Sequence, residues 1–166
     1  MQIIVAVDSK WGIGKKNDLL FSLKEDMKYF REKTSGKTVV MGYNTLLSFP
    51  GGKPLKNRNN IVLCPAEIER DDLTVTHSLE ELSEVLSKIN TEEIFIIGGA
   101  MFYRTMLPYC EYAYITKVDA DGGAEVFFEN LDKLADWELV EEGEPILDGD
   151  KTIRFCKYKN KNVLTF

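Results

Sequence analysis

The sequence predicts an α/β sandwich in one domain, with a mostly parallel sheet that finishes in an antiparallel edge. Three observations predict it. Apolar runs of strand length alternate with capped, helix-periodic stretches through most of the chain. The run Ile94-Phe95-Ile96-Ile97 is apolar on both faces, as a middle strand of a parallel sheet must be. Near the C-terminus the order changes, and two strand-like runs, 137–142 and 152–159, flank Asp148-Gly149, a hairpin-turn pair. A length of 166 residues suits a single domain, 1–166, and no linker composition interrupts it.

Taken in order, residues 2–8 read as a buried strand. Gly12-Ile13-Gly14 follows, two glycines around one apolar residue, which suits a tight mobile loop. Ser22 and Glu25 have capping-box spacing, so a helix is expected from about 23 to 34, with Leu23, Met27 and Phe30 on its buried stripe. Thr38–Met41 is a second strand running into Gly42, and Tyr43-Asn44-Thr45 opens a short helix that Pro50-Gly51-Gly52-Lys53-Pro54 breaks. Asn60–Cys64 is a strand stopped by Pro65, residues 66–72 are polar loop, and Leu73–Thr76 is a brief strand. Ser78 and Glu81 form a second box, opening a helix with the stripe Leu79, Leu82, Val85, Leu86 and Ile89. The strand at 93–97 meets Gly98-Gly99, and Ala100 to Leu107 is helical until Pro108. A strand at 112–118 carrying Thr116, a loop at 119–125 and Phe127-Phe128 precede the closing strands.

Composition narrows the function. The chain is 44% apolar and 29% charged, with net charge −6 and a pI near 5.0. That balance argues against a nucleic-acid or anionic-membrane surface, so an anionic ligand must be met by a few local cations. Cys64, Cys110 and Cys156 are odd in number and widely spaced, which favours a reducing, cytoplasmic compartment over a disulfide framework. One histidine, His77, gives no metal constellation. The start MQIIVAV reads as a strand rather than a secretory leader, and no apolar run reaches transmembrane length.

Asp26 is the residue that asks for an explanation. It lies three residues after Leu23 and four before Phe30, on the apolar stripe of its helix. A carboxylate there costs several kcal/mol unless something pairs with it. Either a protein donor at the stripe's edge satisfies it, or a ligand does. The glycine loop ahead of it describes a pocket with a lid.

Six blocks, in this order, are similar to those of the dihydrofolate reductase family: GIGKKNDLLF with EDMKYF, GKTVVMGYNT, PLKNRNNIVL, IFIIGGAMFY, YITKVDA with FF, and the aromatic closing strands. The resemblance spans nearly the whole chain. It implies a three-layer sandwich with a central eight-stranded sheet and four flanking helices. It implies reduction of 7,8-dihydrofolate with NADPH, in the service of one-carbon metabolism, with dihydrofolate and antifolate inhibitors as small-molecule partners. On that resemblance Asp26 matches the pocket acid that binds the pterin's amino and ring N–H groups and favours protonation of N5, and Thr116 matches the threonine that supports it. Ile4, Val5, Leu19, Met27, Phe30, Phe49, Leu55, Ile97 and Tyr103 match the walls around the pterin and the aminobenzoyl ring. Arg58 matches the arginine that clamps the glutamate α-carboxylate, with Lys53 and Arg31 assisting at the mouth. Ala6, Ile13, Gly14 and Leu19 match the nicotinamide site. Gly42, Tyr43, Asn44, Thr45, Leu63, Cys64 and the turn Gly98, Gly99, Ala100, Met101, Phe102, Tyr103 match the remaining cofactor contacts, Gly98-Gly99 matching a pair joined by a cis peptide.

Three departures carry expectations of their own. Leu20-Phe21 stands where the family usually has Pro-Trp; Leu19 and Phe21 border the reacting centre, and the proton route to N5, through water, differs without the indole N–H. Tyr43, Asn44, Cys64 and Pro65 stand where the family reads the cofactor's 2′-phosphate with cations and hydroxyls, so NADH is expected to be tolerated. Glu125 replaces an aspartate that braces the lid, here Lys10 to Phe21. A monomer is expected, because no apolar stripe is left over once the core is assigned. The nearest rivals are a ribosylaminopyrimidine reductase on the same fold, which needs no clamp at Arg58, and a non-catalytic folate-binding homologue, whose acid would be replaced.

Overall fold

The computed structural model describes residues 1–16 and 18–166. The strands are β1 (Gln2–Val7), β2 (Gly12–Lys15), β3 (Asp18–Leu19), β4 (Thr38–Gly42), β5 (Asn59–Leu63), β6 (Thr74–Thr76), β7 (Ile94–Gly98), β8 (Tyr112–Val118), β9 (Val126–Phe127), β10 (Trp137–Glu142), β11 (Ile146–Asp148) and β12 (Lys151–Asn160). The helices are α1 (Lys24–Thr34), α2 (Tyr43–Ser48), α3 (Leu79–Leu86) and α4 (Ala100–Met106). The main sheet runs β10-β12-β8-β1-β7-β4-β5-β6, with β11 beside β12 as a ninth strand. From β8 through β6 every pair is parallel; β12 turns antiparallel against β8, β10 and β11.

Period-two alternation builds the layers. Ile3, Val40, Ile61 and Ile96 face one side and pack with Leu82 and Leu86 of α3 and with Phe102 and Met106 of α4. Ile4, Val39, Met41, Val62 and Phe95 face the other side, under Tyr29 and Phe30 of α1 and Leu46 of α2. The result is three layers, with β1, β7 and β4 at the centre. Ser78 caps α3 as its spacing predicts, accepting from the Glu81 N–H at 3.1 Å, while Glu81 Oε2 accepts from the His77 N–H at 2.8 Å.

Five expectations need correction. Ser22 does not cap α1: the helix begins at Lys24, and Asp148 Oδ2 takes the N–H groups of Glu25 at 2.8 Å and Asp26 at 3.1 Å instead. A buried carboxylate is the stronger acceptor at a helix N-terminus, and the exposed Ser22 hydroxyl turns to Met27 Sδ. Met27 is 54% exposed, because Leu23, Tyr29, Phe30 and Thr34 set the packed face; the Tyr29 ring stacks on Phe155 with centroids 4.0 Å apart. Leu79 lies at the first position of α3, outside the contact made by Leu82 and Leu86, and is exposed. The glycine loop is a small sheet of its own, β3-β2-β9. The Asp148-Gly149 turn joins β12 to β11, not to β10.

Candidate active site

Asp26 sits in the first turn of α1, half-buried against the sheet. Thr116 faces it from β8, 1% exposed and in register with Ala6 of β1. Burial pushes the Asp26 carboxyl above its ordinary value; the Thr116 hydroxyl draws it down, and the negative charge of Asp148 pushes it up again. No cation takes part in that balance. The residue is therefore neither locked to an internal arginine nor left in open water. A raised carboxyl without a cationic partner favours a ligand that brings N–H donors to it.

The residues expected to wall a pterin pocket fall in apolar clusters on both faces of the sheet. Ile4, Phe30, Phe49, Leu55 and Ile97 belong to one apolar cluster, which also buries Leu46. Val5, Ile13 and Leu63 border the cluster on the other face, which contains Tyr103; the Tyr103 hydroxyl donates to the Ile4 carbonyl at 2.9 Å. Phe21 packs with Leu23, Val118 and Ile153 in a third cluster. Leu19, on β3, is 74% exposed.

At the far end Arg58 carries the buried polar atom without a partner: its Nε donates to nothing among the described residues. Its guanidinium lies 5.8 Å from the Phe30 ring. Burial, and then the neighbouring Arg31, lower its proton affinity. Two cations with no anion between them form a receptor for a carboxylate or phosphate. Lys53 is exposed on the turn that follows Gly52. No sequence pattern signals what holds Arg58. Asn60, 6% exposed, accepts from the Leu55 N–H at 2.9 Å and donates to the carbonyls of Leu55 at 2.8 Å and Arg58 at 3.1 Å.

The strands β4, β5 and β7 end together, at Gly42, Leu63 and Gly98. The α2 and α4 helices start there, with no side chain capping either one. The Gly98-Gly99 peptide is cis. A Cβ added at Gly98 would stand 2.9 Å from Thr45 Oγ1, and at Gly99 3.3 Å, so only glycine keeps this backbone open beside Thr45. That donor set suits a pyrophosphate. Ala6 and Ile13 are half-buried, and Gly14 is buried. Ala100 and Tyr43 are half-buried; Met101, 81% exposed, and Asn44 stand at the rim. Expected contacts withdrawn from solvent include Cys64, 2% exposed, Phe102, 7%, and Tyr103, 5%.

Around the ends of β5 and β6 the charges are mostly acidic or already paired. His77 Nδ1 donates to the Cys64 carbonyl at 2.9 Å, and its Nε2 lies 4.0 Å from Glu67. Arg70, the cation beside Tyr43, makes two bonds to Asp72 and a third to the Gly52 carbonyl. A ligand's extra phosphate meets little free positive charge here.

The glycine segment expected to act as a lid is tied down by residues far along the chain. The Lys16 N–H donates to Glu125 Oε1 and the Glu125 N–H to the Gly14 carbonyl, both at 2.9 Å. Asp8, 3% exposed, accepts from the N–H groups of Lys10, Gly12 and Gly122. A Cβ at Gly12 would collide with the Ala124 side chain. Among the described residues no group of His, Cys, Asp and Glu could hold a metal, and no helix is long and apolar enough to cross a membrane.

Comparison with known proteins gives a consistent family. A family model described as "Dihydrofolate reductase" matches residues 1–161. The chain is 36% identical over 165 residues to a protein of Bacillus subtilis (strain 168) named dihydrofolate reductase, covering 98% of this chain and 95% of that one. Relatives of the same name from Staphylococcus haemolyticus and Staphylococcus aureus (strain Mu50 / ATCC 700699) are 34% and 32% identical. They cover 89% and 92% of this chain, and 87% and 92% of their own lengths.

Proposed function

The chain belongs to the dihydrofolate reductase family, and from that membership we propose that it reduces 7,8-dihydrofolate to 5,6,7,8-tetrahydrofolate with NADPH. The family uses a nicotinamide cofactor, and the relatives' names do not favour a ribosylaminopyrimidine substrate. One observation carries the reading: Asp26 is a largely buried carboxyl with a raised pKa, beside a buried threonine and with no cationic partner among the described residues.

In this reading Asp26 accepts from the amino and ring N–H groups of the pterin, and Thr116 fixes the carboxylate's orientation. Phe30, Phe49, Leu55 and Ile97 exclude water from the pterin and aminobenzoyl ring. Arg58, assisted by Arg31, holds the glutamate α-carboxylate, which supplies the partner its Nε lacks. The Gly98-Gly99 turn, Gly42 and Thr45 hold the cofactor's pyrophosphate, and Ala6, Ile13 and Gly14 border its nicotinamide. When bound, the cofactor supplies the hydride. The protein's own residues align the rings, keep water from the cleft and raise the proton affinity at N5 through Asp26.

The 2′-phosphate of NADPH finds few free cations, so the preference for NADPH over NADH is weaker than a dedicated phosphate site would give. The three thiols, all free and buried, support a reducing cytoplasm. An absorbance assay at 340 nm tests the activity. Loss of signal that requires dihydrofolate, NADPH and the folded chain supports it; folded protein that consumes no NADPH under those conditions overturns it.

A further inference from the structure

Asp148 is the second carboxylate of this site, and the reaction as outlined gives it no role. It comes from the opposite end of the chain, at the last position of β11, and it is 4% exposed. One of its oxygens accepts the backbone N–H of Glu25 and of Asp26 itself. The helix has no cap of its own: Leu23 is the N-cap residue, and no side chain there bonds the first turn.

We propose that Asp148 is a positioning residue for the reaction: it clamps the first turn of α1 to the β11–β12 hairpin and supplies the negative field in which Asp26 works. This rests on the dihydrofolate-reducing role of Asp26. The clamp is mechanical as well as electrical. The Tyr29 ring stacks on Phe155, and Phe155 is in register with Thr116 across β12 and β8. Asp26, its supporting threonine and Asp148 therefore belong to one rigid corner.

The groups that face Asp26 are few. Thr116 offers a hydroxyl from β8, and Tyr29 and Tyr103 bring phenols whose ionisation Asp26 opposes. Glu25 is exposed on the same helix. On the hairpin, Lys151 stands opposite Asp148 in register and makes its ion pair with Asp150 at 3.2 Å. Asp148 is thus the other carboxylate that bears on Asp26, and a like charge raises the proton affinity of its neighbour. Once substrate is bound, Asp26 and the pterin titrate as a coupled pair, so the field acts on the shared proton wherever it resides.

Capping and field separate by substitution. Asp148→Asn keeps an oxygen that accepts both N–H groups and removes the charge. Asp148→Ser is a shorter neutral cap, and Asp148→Ala removes cap and charge together. The measurements are the ligand-free titration of the 13C-labelled Asp26 carboxyl by NMR, the pH profile of kcat/KM for dihydrofolate, and Tm. In Asp148→Asn, Tm is expected to stay near wild type, while the Asp26 midpoint and the alkaline limb of the profile both move to lower pH. Asp148→Ala lowers Tm and moves the Asp26 midpoint the same way. If the Asp26 titration in Asp148→Asn, or in Asp148→Ser should the first variant not fold, coincides with wild type, the residue is a cap only and the proposal is wrong. A wild-type enzyme that does not reduce dihydrofolate overturns the functional reading instead, and the ligand-free titration still decides whether Asp148 governs Asp26.

Discussion

Asn60 Nδ2 donates to the carbonyl oxygen of Arg58 at 3.1 Å and to that of Leu55 at 2.8 Å, so one buried amide at the start of β5 shapes the loop that presents the unpartnered guanidinium. Arg58 is poised before any ligand arrives. Its Nε is desolvated without a partner, which destabilises the free protein and is relieved when a carboxylate binds.

This arrangement predicts opposite effects on function and stability. Arg58→Met should raise KM for dihydrofolate and lower kcat/KM roughly ten- to a hundredfold, the range for losing a charge-assisted hydrogen bond of about 1.5–3 kcal/mol. Urea unfolding of the same variant should give equal or greater stability. Arg58→Lys should not rescue binding, because an ammonium lacks the planar fork. A variant that loses stability and keeps its KM would refute the clamp.

The raised pKa of Asp26 fixes a sign for pH-dependent stability. The folded state holds this proton more tightly than the unfolded chain, whose carboxyl titrates near 3.8. The group's contribution is therefore most favourable below that value and declines as pH rises through the higher folded midpoint. Asp26→Asn should be more stable than wild type at pH 8, and the difference should shrink toward pH 4. Denaturant titrations at the two pH values measure it; equal stabilities at both would contradict the raised pKa.

The lid bond from Lys16 to Glu125 is exposed, which sets a modest scale. Glu125→Ala should speed hydrogen exchange at the Lys16 amide and weaken NADPH binding roughly two- to tenfold, as expected for one hydrogen bond of about 0.5–1.5 kcal/mol. Unchanged exchange at Lys16 would mean that the bond does not hold the lid.

The acidic surroundings of the β5 and β6 ends predict weak discrimination between cofactors. The ratio of kcat/KM for NADPH over NADH should fall below about a thousandfold, a difference of roughly 4 kcal/mol. A larger ratio would require a cation free to meet the 2′-phosphate, which the pairing of Arg70 with Asp72 and Gly52 argues against.

What was legible in the sequence is what is local. The stripe of Leu82 and Leu86, the capped start at Ser78, and the strand ends at Gly42 and Gly98 follow from spacing and turn chemistry within a few residues. The glycine pattern predicts a tight mobile loop because the strand partner is distant: Gly12 of β2 pairs with Phe127 of β9. The capping-box spacing at Ser22 misleads for the same reason. Nothing near Ser22 signals that a carboxylate 123 residues away will take the Glu25 N–H. Tyr29 carries no local signal because its partner is Phe155 of β12, and Asn60 none because an asparagine opening a strand has no distinctive pattern. Asp26 could be found from sequence because an acid on an apolar stripe contradicts its surroundings.

The most direct measurement of the central claim is the pH dependence of dihydrofolate turnover by Asp26→Asn. The account predicts loss of most activity near neutral pH and partial recovery in acid, where solvent supplies the proton that the carboxyl no longer favours. Wild-type turnover by this variant at neutral pH would contradict it.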